Sequence, residues 1–252
     1  MIKRAIIWPD THIGCEVDGE TPHDKRAIDL VLDICRDIQP EYLYLLGDFG
    51  EFESVSSHSR CPKTKSFLKD EVYEIHQVLR RINLAMPDTE KHYISGNHEL
   101  RIARYIRDNC PDLFGCVAIP EILTLDEYGF KFHEYGTNQL VRIANSHLYA
   151  RHEPYGRTAE ASAKKALCSI INGHDHKIQE AQIVSATGEN YRCISTGWLG
   201  NQNCKIFNYN KTRPQWAHGF SIVTILEDGT WFNQIVHIID YQCVVGDTLY
   251  KG

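Results

Sequence analysis

The chain has 252 residues, of which 42% are hydrophobic and 24% charged, and a formal net charge of −6. These fractions exclude disordered and fibrous classes, and at ~150 residues per domain the length predicts one domain, residues 1–252, with a sizeable core. Apolar runs such as Ala5-Ile6-Ile7-Trp8 fall far short of the ~18 residues of a membrane span. The N-terminus, MIKRAIIWPD, lacks the long apolar core and cleavage site of a secretory signal. The acidic balance leaves no global basic footprint for nucleic acid, although a local patch is compatible with it. Nine cysteines without a CxxC pair predict reduced thiols in a cytoplasm rather than a disulfide framework.

In chain order, Ile2 to Trp8 reads as a buried strand ended by Pro9. Thr21-Pro22 reads as an N-cap followed by proline at the first helical position, with Ile28, Val31, Leu32, Cys35 and Ile38 on one helical face. Tyr42–Leu46 is the second strand, and a helix is predicted over about Lys65–Leu84. The strand His92–Ser95 leads into a helix carrying Leu100, Ala103, Tyr105 and Ile106. Such alternation predicts parallel strands covered on both faces. Leu140–Ile143 and Leu148–Arg151 read as strands around a turn, followed by a helix at about Ala159–Leu167 and a strand at Cys168–Ile171. From about residue 177 the chain is strand-rich (Gln182–Val184, Tyr191–Ile194, Phe220–Leu226, Trp231–Ile239), which predicts a second sheet packed on the first.

Five short segments, each just past a predicted strand, carry the chemistry: Asp10-Thr11-His12, Gly47-Asp48, Gly96-Asn97-His98-Glu99, Arg151-His152 and Gly173-His174-Asp175-His176. Sites in open α/β sheets form at the carboxyl ends of strands, so these loops can converge on one cleft. Residues two apart in extended chain share a side, which suits Asp10/His12 and His174/His176 as chelating pairs. Together the segments offer two aspartates, the Asn97 amide oxygen and four histidines, a donor set suited to transition metals rather than Ca or Mg alone. Seven ligands exceed what one catalytic ion with open positions takes, and they suit two ions sharing a carboxylate.

D-x-H, GD, GNHE, a strand-end histidine and GHxH, in this order, resemble the calcineurin-like metallophosphoesterase superfamily over Asp10–His176. GDFGEFESVS (47–56), GNHELRIARYIRDNCPDLFG (96–115), Gly197-Trp198-Leu199 and Trp216-Ala217-His218-Gly219-Phe220 resemble its smaller phage-type group. The resemblance implies a four-layer α/β/β/α sandwich of two packed mixed β-sheets with flanking helices. It also implies two divalent transition ions, manganese first, with Fe, Zn, Ni or Co as alternatives. One ion would be held by Asp10, His12, Asp48 and His176 and the other by Asp48, Asn97, His152 and His174, making Asp48 the bridge. His98 would contact the substrate phosphate or protonate the leaving group, beside Asn97. The compartment would be the host cytoplasm if the chain is phage-encoded.

The fourth segment departs from the family's usual His-Gly: His152 is followed by Glu153, and His147 is a rival ligand. His152 is preferred because it ends the predicted strand. Arg101, three residues after His98 on a helix, is either a phosphate clamp or, with Arg104 and the offsetting Glu99, part of a solvated face. Lys63, Lys65, Lys69, Lys164 and Lys165 read as solvated. Trp198 and Trp216 read as buried in the second sheet, with cover of the cleft or base stacking as the alternative. The implied activity is phosphoester hydrolysis by metal-bound hydroxide. A phosphodiester, nucleic-acid or nucleotide substrate is slightly favoured, since Asp10 to Gly14 resembles the nuclease branch. A phosphomonoesterase on phosphoprotein or nucleotide is the alternative, and a non-catalytic metal-binding scaffold is the reading from another class.

Overall fold

A computed structural model describes residues 2–58, 66–208 and 214–252; Lys63 and Lys65 lie outside them. The first strand, β1 (Lys3–Trp8), sets the layering by simple alternation. Ile6 and Trp8 point to one apolar cluster and Ala5 and Ile7 to another, all four fully buried. Helix α1 (Lys25–Ile38) begins three residues later than Thr21-Pro22 suggests. Its cap is Asp24, whose carboxylate accepts from the backbone of Arg26 and Ala27 at 3.0 and 3.1 Å. Pro22 and His23 are held extended against the 199–201 segment, with Asn201 N–H donating to the Pro22 carbonyl, so they cannot enter the helix.

The elements that follow are β2 (Tyr42–Leu45), α2 (Leu68–Ala85), β3 (Glu90–Ile94), α3 (Leu100–Asn109), the single turn α4 (Ile119–Ile122) and β4 (Phe130–His133). Then come β5 (Val141–Arg142), β6 (Leu148–Arg151), α5 (Ala159–Ala166), β7 (Ser169–Asn172), β8 (Ile178–Val184) and β9 (Asn190–Thr196). The chain closes with β10 (Gly219–Ile225), β11 (Trp231–His237) and a hairpin of β12 (Gln242–Val245) with β13 (Thr248–Lys251).

One sheet has the order β11-β10-β1-β2-β3-β4, the other β5-β6-β7-β9-β8, and both mix parallel and antiparallel pairs. Ala5, Ile7, Tyr44, Leu46 and Ile94 of the first meet Leu148, Ala150, Ile171 and Ile194 of the second in a shared apolar layer. The outer face of the first sheet is covered by α1 and α2 through Val31, Cys35, Ile75, Leu79 and Ile82. That of the second is covered by α5 through Ala159 and Ala163. The result is the expected four-layer α/β/β/α sandwich.

The strand membership of the second sheet differs from expectation. That sheet begins at Val141, well before residue 177, and β10 and β11 belong to the first sheet, where Ile6 pairs with Ile222 and Phe220 with Val236. The physical reason lies in β10 itself. Phe220 and Ile222 face the helices while Val223 and Ile225 face the other sheet, so both of its faces are buried, as a strand inside a covered sheet requires. It also removes an unpaired edge from β1. The eight described cysteines are free thiols, and no helix of the described residues is long and apolar enough to cross a membrane.

Candidate metal centre

Every candidate ligand follows the carboxyl end of a strand: Asp10 and His12 after β1, Asp48 after β2, Asn97 after β3, His152 after β6, and His174 and His176 after β7. The loops are laced together by backbone bonds. Thr11 and His12 N–H donate to the Asp48 carbonyl (3.1 and 2.9 Å), Gly173 to that of His152 (3.1 Å) and Leu199 to that of Asp10 (2.7 Å). Both sheets thus feed one site, and all seven residues come together there.

Among the described residues, three groups of side chains could hold a metal ion: Asp10/His12/His176, His12/Asp48/His98 and Asp48/His152/His174. Within them His12 Nε2 lies 2.9 Å from His176 Nε2, and His176 Nε2 lies 3.5 Å from Asp10 Oδ1. His152 Nε2 lies 3.3 Å from Asp48 Oδ2 and 3.0 Å from Asn97 Oδ1, and His174 Nδ1 is 2.9 Å from that same oxygen. Donor atoms bound ~2.0–2.2 Å from a shared ion are spaced by just such distances. His174 and His176 serve different groups rather than chelating together. His12, His174 and His176 have φ of 55°, 74° and 57°, so the extended-chain argument for their pairing does not hold. Asp48 shares this left-handed conformation (φ 46°), which costs roughly 1–2 kcal/mol per residue, strain of the kind that collects at functional sites.

The surrounding bonds fix which nitrogens are free. His152 Nδ1–H donates to the Leu46 carbonyl (2.8 Å) and His12 Nδ1–H to Glu51 (2.7 Å), leaving each Nε2 lone pair for a cation. Electrostatics makes the same demand for positive charge. Burial opposes ionisation of Asp48, but His152, His98 and His12 override it and hold the carboxyl well below the usual range. Burial would likewise depress His152, yet Asp48 and Asp10 push it up to about 10. A buried, carboxylate-rich centre with imidazole lone pairs aimed inward fits divalent transition ions by its donor chemistry. His147, by contrast, is exposed in the turn between β5 and β6, beside Gly229.

Two glycines of the motifs are explained by contact. A Cβ at Gly173 would lie 2.2 Å from Asp10 Oδ2, and one at Gly96 would lie 2.3 Å from Asp48 Oδ1. Gly173→Ala is therefore expected to displace Asp10 and cost about 1–3 kcal/mol, as overpacking does. Thermal denaturation checks this, and an unchanged midpoint would show that the loop yields.

Two acidic residues escape the sequence reading. Glu51 is buried; besides His12 it meets His98 Nδ1 (3.2 Å) and Arg101 Nη1 (2.9 Å), which also donates to the Glu51 carbonyl (2.7 Å). Arg101 thus lines the cleft rather than a solvated face, with its Nη2 2.9 Å from His98 Nε2. Burial raises the pKa of Glu51 less than His98 and His12 lower it, and its carboxyl ends well below the usual range. Burial would lower His98, but Asp48 and Glu51 outweigh it and raise its pKa. Glu99 is 1% exposed, not part of a solvated face, and accepts from the backbone N–H of Asp48, Phe49, Gly50 and Gly96 and from the Tyr93 hydroxyl. Arg104 is exposed.

Trp198 is fully buried, but against the site: its ring stacks on His176 (centroids 4.6 Å apart, 14° between planes), and Trp216 meets His176 edge-on at 4.9 Å. The Nδ1 of His176 has no hydrogen-bond partner among the described residues, so aromatic packing orients this ring. The site opens into a cleft of about 1120 Å³ lined by His12, Asp48, Asn97, His98, Arg101 and Trp216, among others.

No family model matches the chain, and no curated protein matches it. Among solved structures it is similar to YfcE, a phosphoesterase from E. coli, with a TM-score of 0.39 and 14% identity over 94% of this chain and 100% of that one. It is also similar to a dimetal phosphatase from Danio rerio, with a TM-score of 0.47 and 12% identity over 93% of this chain and 94% of that one.

Proposed function

We propose that the chain, acting as one domain, is a dinuclear-metal-dependent phosphoesterase with a phosphodiester, nucleic-acid or nucleotide substrate slightly favoured over a monoester. The observation that carries the reading is the place of Asp48, which belongs both to the group with His12 and His98 and to the group with His152 and His174. A carboxylate so placed is the shared ligand of two ions. Asp10, His12, Asp48 and His176 would hold one, and Asp48, Asn97, His152 and His174 the other. The pair, manganese first among the candidates, would supply Lewis-acid neutralisation of phosphoryl oxygens and acidify a water between them.

The chain's own residues do the rest. Asn97 and His98 face the phosphate, and His98 protonates the departing oxygen, a role worth ~10²–10⁴-fold. Glu51 fixes the rings of His12 and His98 through their Nδ1 atoms, and Arg101 holds Glu51 and His98 together at the cleft. Glu51→Gln is expected to weaken loading of the ion held by His12 by about 10–100-fold while sparing the other. Metal titration of the chelated protein reads this as one weakened step of two; two unchanged steps would remove Glu51 from the centre.

The direct test is manganese-supported hydrolysis of a paired chromogenic diester and monoester, with Asp48→Asn as the blank. Faster turnover of the diester supports the reading as stated, and faster turnover of the monoester redirects it to phosphoproteins and nucleotides. No turnover above the blank, with two ions bound, favours the scaffold.

A further inference from the structure

The proposed hydrolysis uses one end of the cleft and leaves an adjoining wall without a task. That wall comes from the loop between β6 and α5, from α5 itself and from the residue after His176, and it brings Arg157, Lys165 and Lys177 to the cleft. Neighbouring cations are engaged, Lys164 by Glu160 and Arg192 by Glu180, whereas these three have no ion pair among the described residues. Lys165 is exposed, as a solvated charge is, and also lines the cleft. The acids nearby have partners of their own: Tyr135 donates to Glu153 and Ser195 to Asp175.

Behind the wall lies a fourth cation. Arg151 is only 6% exposed, and its Nε and Nη1 make no hydrogen bond among the described residues. Its guanidinium sits 3.7 Å from the ring centroid of Tyr155, and that ring lines the cleft. A buried guanidinium with no ion pair among the described residues is costly, and an anion brought near it recovers part of that cost. In a chain of net charge −6, a wall where Arg151, Arg157, Lys165 and Lys177 outnumber Glu153 and Asp175 carries a local excess of positive charge. The cleft, about 1120 Å³, is also larger than a single phosphoester group needs, since pockets of ~300–1,000 Å³ enclose drug-sized ligands.

We propose that this wall is a subsite for a second phosphate group of the substrate, beyond the phosphoester that is cleaved. The inference rests on the phosphoesterase reading above and narrows it to substrates carrying at least two phosphates. Guanidinium and ammonium groups together suit a phosphate, the first by its fork of donors and the second as a point charge. The second phosphate has two possible sources: the next backbone phosphate of a nucleic-acid strand, or the outer phosphate of a nucleoside polyphosphate.

The test compares two substrate pairs under manganese: the thymidine dinucleotide with and without a 5′-phosphate, and a nucleoside diphosphate with its monophosphate. In one pair the phosphate-richer member is expected to have a kcat/KM about tenfold higher, chiefly through KM, as a charged hydrogen bond or two would give. An advantage in the dinucleotides assigns a strand, and one in the nucleotides assigns a polyphosphate. In the double variant Arg157→Ala/Lys165→Ala the advantage is expected to vanish, and the salt dependence of log kcat/KM for the favoured substrate to become shallower by about two. Both residues are exposed, so the double variant leaves the core intact. Turnover of every substrate with no advantage in either pair, or an advantage that the double variant keeps, overturns the subsite and leaves the phosphoesterase reading standing. No turnover of any of them overturns both.

Discussion

Asp48→Asn is expected to lower manganese-supported phosphodiester hydrolysis by on the order of 10³-fold, the scale seen when a preorganised electrostatic group leaves a reacting centre. The amide has nearly the same volume and keeps an oxygen for the His98 backbone N–H, which now donates to Asp48 Oδ1 at 2.8 Å. What it loses is the negative charge beside Oδ2, which faces His152 Nε2 at 3.3 Å and His98 Nε2 at 3.7 Å. Because that charge would be shared, one substitution weakens both ions. The far-ultraviolet circular dichroism should stay that of the parent, and elemental analysis should find fewer than two ions per chain. Activity within about tenfold of the parent would show that Asp48 does not bridge.

The candidate ligands were legible in the sequence because each is a short polar interruption at the end of an apolar strand, a local signal that needs no knowledge of distant contacts. His152 was separable from His147 on that same ground: one ends β6, the other sits in the turn before it. Glu51 and Glu99 were not legible. Each reads locally as an ordinary surface charge, and Glu99 acquires its meaning only when the Gly47–Gly50 loop is laid against the Gly96–Glu99 loop. The same limit applies to β10. Its apolar run announces a strand, but the choice of β1 as neighbour is a ladder across more than 200 residues of chain, which no local periodicity encodes. The D-x-H and H-x-H spacings were informative for a reason other than the extended geometry first assigned to them. Left-handed turns at His174 and His176 send their rings to different groups, whereas the turn at His12 keeps its ring in one group with Asp10. Trp198 shows a third kind of omission: it is buried, as its composition suggests, but the surface it covers is His176 rather than a strand of the second sheet.

Glu99→Ala is expected to be the most destabilising of the substitutions considered, at about 4 kcal/mol, the upper range for a single change. The carboxylate accepts five hydrogen bonds, from Asp48 and Gly96 on Oε2 at 3.0 and 2.7 Å and from Phe49, Gly50 and Tyr93 on Oε1 at 2.9, 3.2 and 2.8 Å. Truncation strands all five donors in a buried place, and each unsatisfied buried group costs roughly 1–3 kcal/mol, less whatever water entering the new space recovers. At ~2–4 °C per kcal/mol for a chain of this size class, the midpoint should fall by about 10 °C. Glu99→Gln should lose roughly half as much: it keeps the volume and one acceptor oxygen, but turns an amide NH₂ toward N–H donors that need an acceptor. The substitution also separates the carboxylate's role in folding from any role in chemistry, because Glu99 serves the loops that carry Asp48 and Asn97 and is not itself among the proposed ligands. Manganese should raise the midpoint of the parent, since an ion that binds only the folded form stabilises it by mass action, and should raise that of Glu99→Ala by less. A urea-unfolding loss below about 1 kcal/mol would mean the two loops hold their geometry without the carboxylate, through the His98 N–H bond to Asp48 Oδ1 and the Thr11 and His12 bonds to the Asp48 carbonyl.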